Sequence, residues 1–221
     1  MLELMAINNG QNVNTENFLL GVGERANIVY MTDLGLAIYR HPDRWGSSST
    51  PRVDIRARPP QYASINGHLG VAQSRRDDLE ALGYMLVYFM RGRLPWQGLK
   101  AKRDAKYLLV SVKKQATGAS ELCAGLPTEF VDYFNYVHDL RDEDRPDYQY
   151  LRKTFTKLFH RQGFEYDNIF DWTNREFQRL GLDAEELPTS NSVNEKRGVD
   201  TAKPWGCGVQ DVTEATRGRK R

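Results

Sequence analysis

Cysteine is scarce in this 221-residue chain, long apolar runs are missing, and neither sign of charge dominates. Two cysteines, Cys123 among apolar neighbours and Cys207 in polar sequence, are too few for a disulfide framework and point to a reduced intracellular setting, cytoplasmic or nuclear. The longest apolar run, Ala81 to Met90, is broken by Gly83 and stops well short of the ~18 residues of a membrane span. The first residues lack the basic flank and apolar stretch of a secretory signal. With 31 basic against 29 acidic residues, the net charge of +2 creates no field that would draw the chain to nucleic acid or a membrane. The four histidines, His41, His68, His138 and His160, show no metal-ligand spacing with each other or with the cysteines. No internal repeat is evident.

What is present is ordinary globular composition, 40% hydrophobic and 27% charged, and enough length to build one core. The richest stretch runs from Ser74 to Ala101. Ser74 and Asp77 fit an N-terminal capping box, Leu79, Leu82, Leu86 and Phe89 follow at helical spacing, Gly92 suits a left-handed stop, and Pro95 blocks continuation. Tyr84, Met85, Val87, Tyr88 and Met90 fill the other faces. A helix apolar nearly all round belongs at the centre of a helical domain.

Around it, Phe18-Leu19-Leu20, a glycine-bearing turn and Ile28 to Met31 read as a short hairpin, followed directly by Asp33-Leu34-Gly35. From His41 to Gln61, proline, serine and arginine indicate a long surface loop. Three further helices are expected: Lys102 to about Ala116, Pro127 to about Leu140 with Phe130, Phe134 and Val137 on one face, and Asp147 to about Arg161 with Leu151, Phe155, Leu158 and Phe159 on one stripe. Residues 181–221 read as a disordered polar tail, and its basic end, Arg217 to Arg221, as a solvated terminus, with a nuclear-import or anionic-surface patch as the alternative.

The central helix, Tyr62-Ala63-Ser64-Ile65-Asn66 just before it, Asn17-Phe18-Leu19, Asp33-Leu34-Gly35, Leu158 to Phe164 and Asp171-Trp172 together resemble, in order, the casein kinase 1 family of serine/threonine protein kinases over about residues 17–180. The resemblance implies a mainly α fold, the large C-terminal lobe of a protein kinase with a short β-hairpin near its N-terminus. It implies magnesium and ATP as cofactors, with Asn17 and Asp33 at the two metal-holding positions. Asp78 and Gly83 match the aspartate and glycine of the large-lobe helix, the aspartate supporting the catalytic loop. Arg58 and Lys106 remain as candidate anion contacts.

Residues 1–16 form a degenerate start where the catalytic loop should stand. Counting back from Asn17 sets Asn12 at the position of the catalytic base, in Gly10-Gln11-Asn12 instead of His-Arg-Asp, and Asn14 where the family has a lysine. An amide has no useful basicity toward a substrate hydroxyl, so no functional catalytic residue and only weak or absent nucleotide binding are expected. Pro59 and Gln61 stand where the family's activation segment has threonine and arginine, and neither can replace them. The residues ahead of Asn12 contain no glycine-rich phosphate loop and no β3 lysine. The leading expectation is therefore a truncated or degenerate casein kinase 1-like domain without activity as the chain stands. The alternatives are a pseudokinase scaffold or interaction module, and a fragment of an active kinase whose N-terminal part is missing from the gene model. Only eleven residues precede Asn12, so the central helix should leave one face poorly covered, open to protein partners or to self-association.

Overall fold

The computed structural model describes residues 13–21, 25, 27–33, 60–71, 73–166, 170, 175 and 179, and divides into two compact units, Met1–Glu165 and Tyr166–Arg221. The first is mainly helical with one small antiparallel hairpin. The expected tail, the loop over 41–59 and the Asp171-Trp172 match lie outside the described residues.

A 3-10 turn, Thr15–Asn17, leads into β1 (Phe18–Leu20), which pairs with β2 (Val29–Met31) in the register Phe18↔Met31, Leu19↔Tyr30, Leu20↔Val29. Gly21 belongs at the end of β1 for a physical reason: a Cβ there would stand 2.0 Å from the carbonyl oxygen of Arg25. The expected hairpin is present.

α1 (Ile65–His68) is a single turn whose N-cap Ser64 accepts a hydrogen bond from the Gly67 N–H at 3.0 Å. α2 (Arg75–Arg91) is the central helix. Ser74 caps it, with its N–H donating to Asp77 Oδ2 at 2.7 Å, and Gly92 closes it at φ 71. α3 (Arg103–Ala116), the one-turn α4 (Ala119–Leu122), α5 (Thr128–Asp139) and α6 (Tyr148–Arg161) follow. The three long helices after α2 lie within a residue or so of their expected bounds. Asp147 starts α6 by accepting from the Tyr150 N–H at 2.8 Å, and a left-handed Gly163 follows its end.

α2 and α5 form the main packing contact, with α4 and α6 on α5 and α1 on both α2 and α3. Phe130, Phe134 and Val137 are buried as expected, joined by Tyr133, whose hydroxyl donates to the Leu79 carbonyl of α2 at 2.8 Å. Leu151 and Leu158 carry the buried stripe of α6, with Phe155 half-buried against them. Pro95 stands in the turn after α2, and Trp96 beside it is buried in the core.

One expectation for α2 is corrected. Leu79 and Leu82 are buried and Leu86 is half-buried, but Phe89 is 60% exposed and Met90 57% exposed. Both lie in the last turn of α2, just before the left-handed Gly92 that ends it.

Candidate functional site

The hairpin decides the first half of the site. Because Phe18 pairs with Met31, the residues flanking them, Asn17 and Thr32, meet at the same end: the Thr32 N–H donates to the Asn17 carbonyl at 2.9 Å, and the Thr32 hydroxyl reaches the same oxygen at 3.4 Å. Asp33 is the next residue. The register thus brings Asn17 and Asp33, sixteen positions apart, to one edge of the sheet, Asn17 half-buried and Asp33 exposed. Asp33 holds φ 56, the one left-handed non-glycine residue among those described. Such a backbone is costly for a side-chain-bearing residue and is found where the surrounding structure fixes it, often at functional sites.

Asn14 caps the 3-10 turn in extended backbone and accepts from the Asn17 N–H at 3.0 Å through its carbonyl. Its role in the structure is to shape the turn that presents Asn17. Asn12 lies outside the described residues, as does Arg58. Val13 is buried in the same core as α2. Lys106 is an exposed residue of α3, a helix whose main contact is with α1.

Asp78 and Gly83 are both buried in α2. Asp78 sits in the first turn beside Asp77, where the positive end of the helix favours carboxylates. Burial raises the pKa of Asp77, while hydrogen bonds from Ser64, the Ser74 backbone and Asn66 pull it down. At Gly83 a Cβ would lie 2.7 Å from Phe134 Cζ and 2.8 Å from Tyr133 Cε1, so glycine is what lets α2 and α5 approach.

The second half of the site is a strap, residues 60–65, held from beneath by groups the sequence did not single out. Lys114, fully buried on α3, donates through Nζ to the carbonyls of Pro60, at 3.0 Å, and Ala63. The same ammonium lies over the rings of Tyr84, 4.6 Å from its centroid, and Trp96, at 4.9 Å. Trp96 Nε1 donates to the Gln61 carbonyl at 2.8 Å. Glu80, buried on α2, accepts from the Ile65 N–H at 2.9 Å and from the Tyr84 hydroxyl at 2.6 Å. Four backbone positions of the strap are thereby tied to α2, α3 and the turn after α2.

Burial pushes Lys114 down to about 7, with the Glu80 carboxylate pulling it back up. Glu80 is raised, first by burial, against the hydrogen bonds from Tyr84 and Ile65. The ring of His68, at the end of α1, lies 4.5 Å from that of Tyr107. Burial, then the Lys114 charge, lowers His68 to about 3, against a backbone hydrogen bond at Pro60 that raises it. This imidazole is neutral at physiological pH.

Sequence signals for the strap are faint but real. Glu80 is a carboxylate in the middle of an apolar helix, and such a residue needs a partner. Lys114 gives no such sign, since it follows Lys113 in a helix that reads as ordinary and charged.

Chemically, one amide and one carboxylate at a sheet edge offer two hard oxygen ligands, a fit to magnesium but an incomplete one, because that ion takes near-octahedral oxygen shells. Among the described residues no group of three or more His, Cys, Asp or Glu side chains could hold a metal ion. Nor, among them, is any helix long and apolar enough to cross a membrane. A comparison with known protein families finds no family model that matches the chain.

Proposed function

We propose that the chain is a casein kinase 1-like large lobe that is catalytically inactive as it stands. The observation that carries this reading is the hairpin edge, where Asn17 and Asp33 converge with Asp33 in left-handed backbone. The ordered motifs supply the rest, from Asn17-Phe18-Leu19 through Asp33-Leu34-Gly35 and the Tyr62 to Asn66 segment to α2. Inactivity follows from residue chemistry. Asn12 stands where a carboxylate base should, Asn14 where a lysine should, and an amide can do the work of neither. In the strap, Gln61 turns its amide onto the Tyr62 hydroxyl, 2.9 Å away, and offers no positive charge to a phosphate.

Magnesium and ATP bind weakly in this reading. Asn17 and Asp33 would be the residues that hold the metal, whose charge would offset that of the nucleotide phosphates. Melting with and without millimolar magnesium-ATP tests this, since a ligand that prefers the folded state raises the melting temperature. No rise, or one of about a degree that vanishes in Asp33→Ala, fits the proposal. A larger, magnesium-dependent rise would show a functioning nucleotide site.

A scaffold is the second reading. Leu19, Leu20, Ile28, Val29 and Tyr30 of the hairpin region and Phe89 and Met90 of α2 are all exposed, and apolar surface in that amount marks interaction sites or association of copies. On this reading the lobe binds protein partners or itself through these apolar residues, and the retained fold serves binding instead of phosphotransfer. The longer-kinase alternative is tested by the transcript: an in-frame His-Arg-Asp and glycine-rich loop upstream of Met1 would favour it.

A further inference from the structure

α3 is packed inside out. Its buried side carries Val110, Ser111 and Lys114, with Lys114 fixing the strap, while Leu108 is 64% exposed, Val112 55% and Leu109 45%. With Ala105 one turn earlier, these apolar residues fall at spacings of three, four and seven, one continuous stripe along the outer face. Apolar residues in such register on the solvent side bury nothing in the fold, so folding does not explain them. Along one edge of the stripe runs a row of lysines. Lys106 and Lys113 are seven residues apart and hence on the same edge at 3.6 residues per turn, and Lys102 stands at the N-cap in line with them. Lys102 and Lys106 are exposed, and the Lys113 side chain is 42% exposed, 3.5 Å from Glu121.

We propose that this face of α3 is a docking strip for an amphipathic helix of a partner protein, one with an apolar stripe and an acidic edge. The charge pattern selects that occupant. A second copy laid antiparallel on the strip would set its own lysine row against this one, which is repulsive. Helices that lie in a membrane surface carry basic residues across their whole polar face, whereas this row follows one edge and the opposite side of the helix is buried in protein. A helix with leucines at i, i+3, i+4 and i+7 and glutamates along one edge meets both features at once. The inference uses nothing from the kinase reading and survives if that reading fails.

The probe is a synthetic helical peptide of about 18 residues, five turns, with that leucine pattern and a glutamate edge, and a twin carrying lysine in place of each glutamate. Fluorescence anisotropy with the full chain should show the glutamate peptide binding at least roughly tenfold tighter than the lysine twin, and more weakly as salt rises. Leu108→Glu should abolish binding while leaving the melting temperature within about a degree or two, because the side chain is exposed. The paired change Lys106→Glu with Lys113→Glu should reverse the preference in favour of the lysine peptide. Equal binding of the two peptides, no saturable binding, or a glutamate peptide unaffected by Leu108→Glu would overturn the proposal. So would binding to vesicles containing phosphatidylserine that Leu108→Glu removes, or a dimer by light scattering that the same change dissolves, since each names a different occupant.

Discussion

At the scale of single residues, Gly83 shows how close packing and sequence depend on each other. A methyl group there would drive into Phe134 and Tyr133, both buried, one of which also hydrogen-bonds across to Leu79. Gly83→Ala should therefore destabilise the chain by about 1–3 kcal/mol, although alanine is the better helix former by about 1 kcal/mol. Equilibrium denaturation checks it, and a neutral or stabilising result would mean that α2 and α5 stand further apart than this contact requires. His68 gives a pH dependence of known sign. Its folded pKa, about 3, lies below the ordinary 6.5, so the unfolded chain binds a proton that the folded chain refuses. The stability this group contributes is complete above about 6.5 and is lost as pH falls toward 3. A His68→Phe variant, which keeps a ring beside Tyr107, lacks that loss. Its stability relative to the parent should rise steadily as pH drops through that window, read as denaturation midpoints at several pH values. Lys114 is the residue the strap depends on: Lys114→Met keeps much of the volume but leaves the Pro60 and Ala63 carbonyls without their donor. Faster amide exchange at residues 61–65 in that variant, with the α5 amides unchanged, is the expected outcome.

Among the elements, α2 bears most on stability. Leu82 is 1% exposed at its centre, so Leu82→Ala should cost about 2–5 kcal/mol, while Phe89→Ala in the exposed last turn should cost about half a kcal/mol or less. Chemical denaturation of the pair tests the position of α2 directly, and similar losses in the two variants would contradict it. Periodicity, caps and stops make α2, α3, α5 and α6 legible in the sequence alone, and β1 and β2 are legible from a short apolar pair around a glycine turn. α1 and α4 are not, because four residues hold too little of a period, and α1 exists through the Ser64 cap and its packing on α2 and α3. Periodicity shows that a helix has an apolar face but not what covers it. That is why Phe89 reads as core, and why nothing in the α3 pattern reveals that Lys114 is buried and Leu108 exposed. The Asn17–Asp33 edge is legible as two motifs. Their convergence needs the hairpin register, and the strap needs contacts such as Lys114 to Pro60, 54 residues apart.

At the scale of the whole molecule, a well-packed helical lobe carries one small sheet edge with two oxygen ligands, and in the proposed reading it has amides at the base and lysine positions of the catalytic loop. Phosphoryl transfer rests on positioned charge and a positioned base, so such a lobe should hold its shape and do no chemistry. Exposed apolar side chains on the hairpin and on α2 predict self-association on the order of tens of micromolar. A monodisperse monomer by light scattering at that concentration, without excess binding of a hydrophobic dye, would contradict it. The measurement that bears most directly on the proposed inactivity is incorporation of labelled phosphate from ATP into casein, with magnesium, by the parent chain and by Asp33→Ala side by side. The expected result is no incorporation by the parent above that of Asp33→Ala; signal that the parent shows and the variant loses would contradict an inactive lobe.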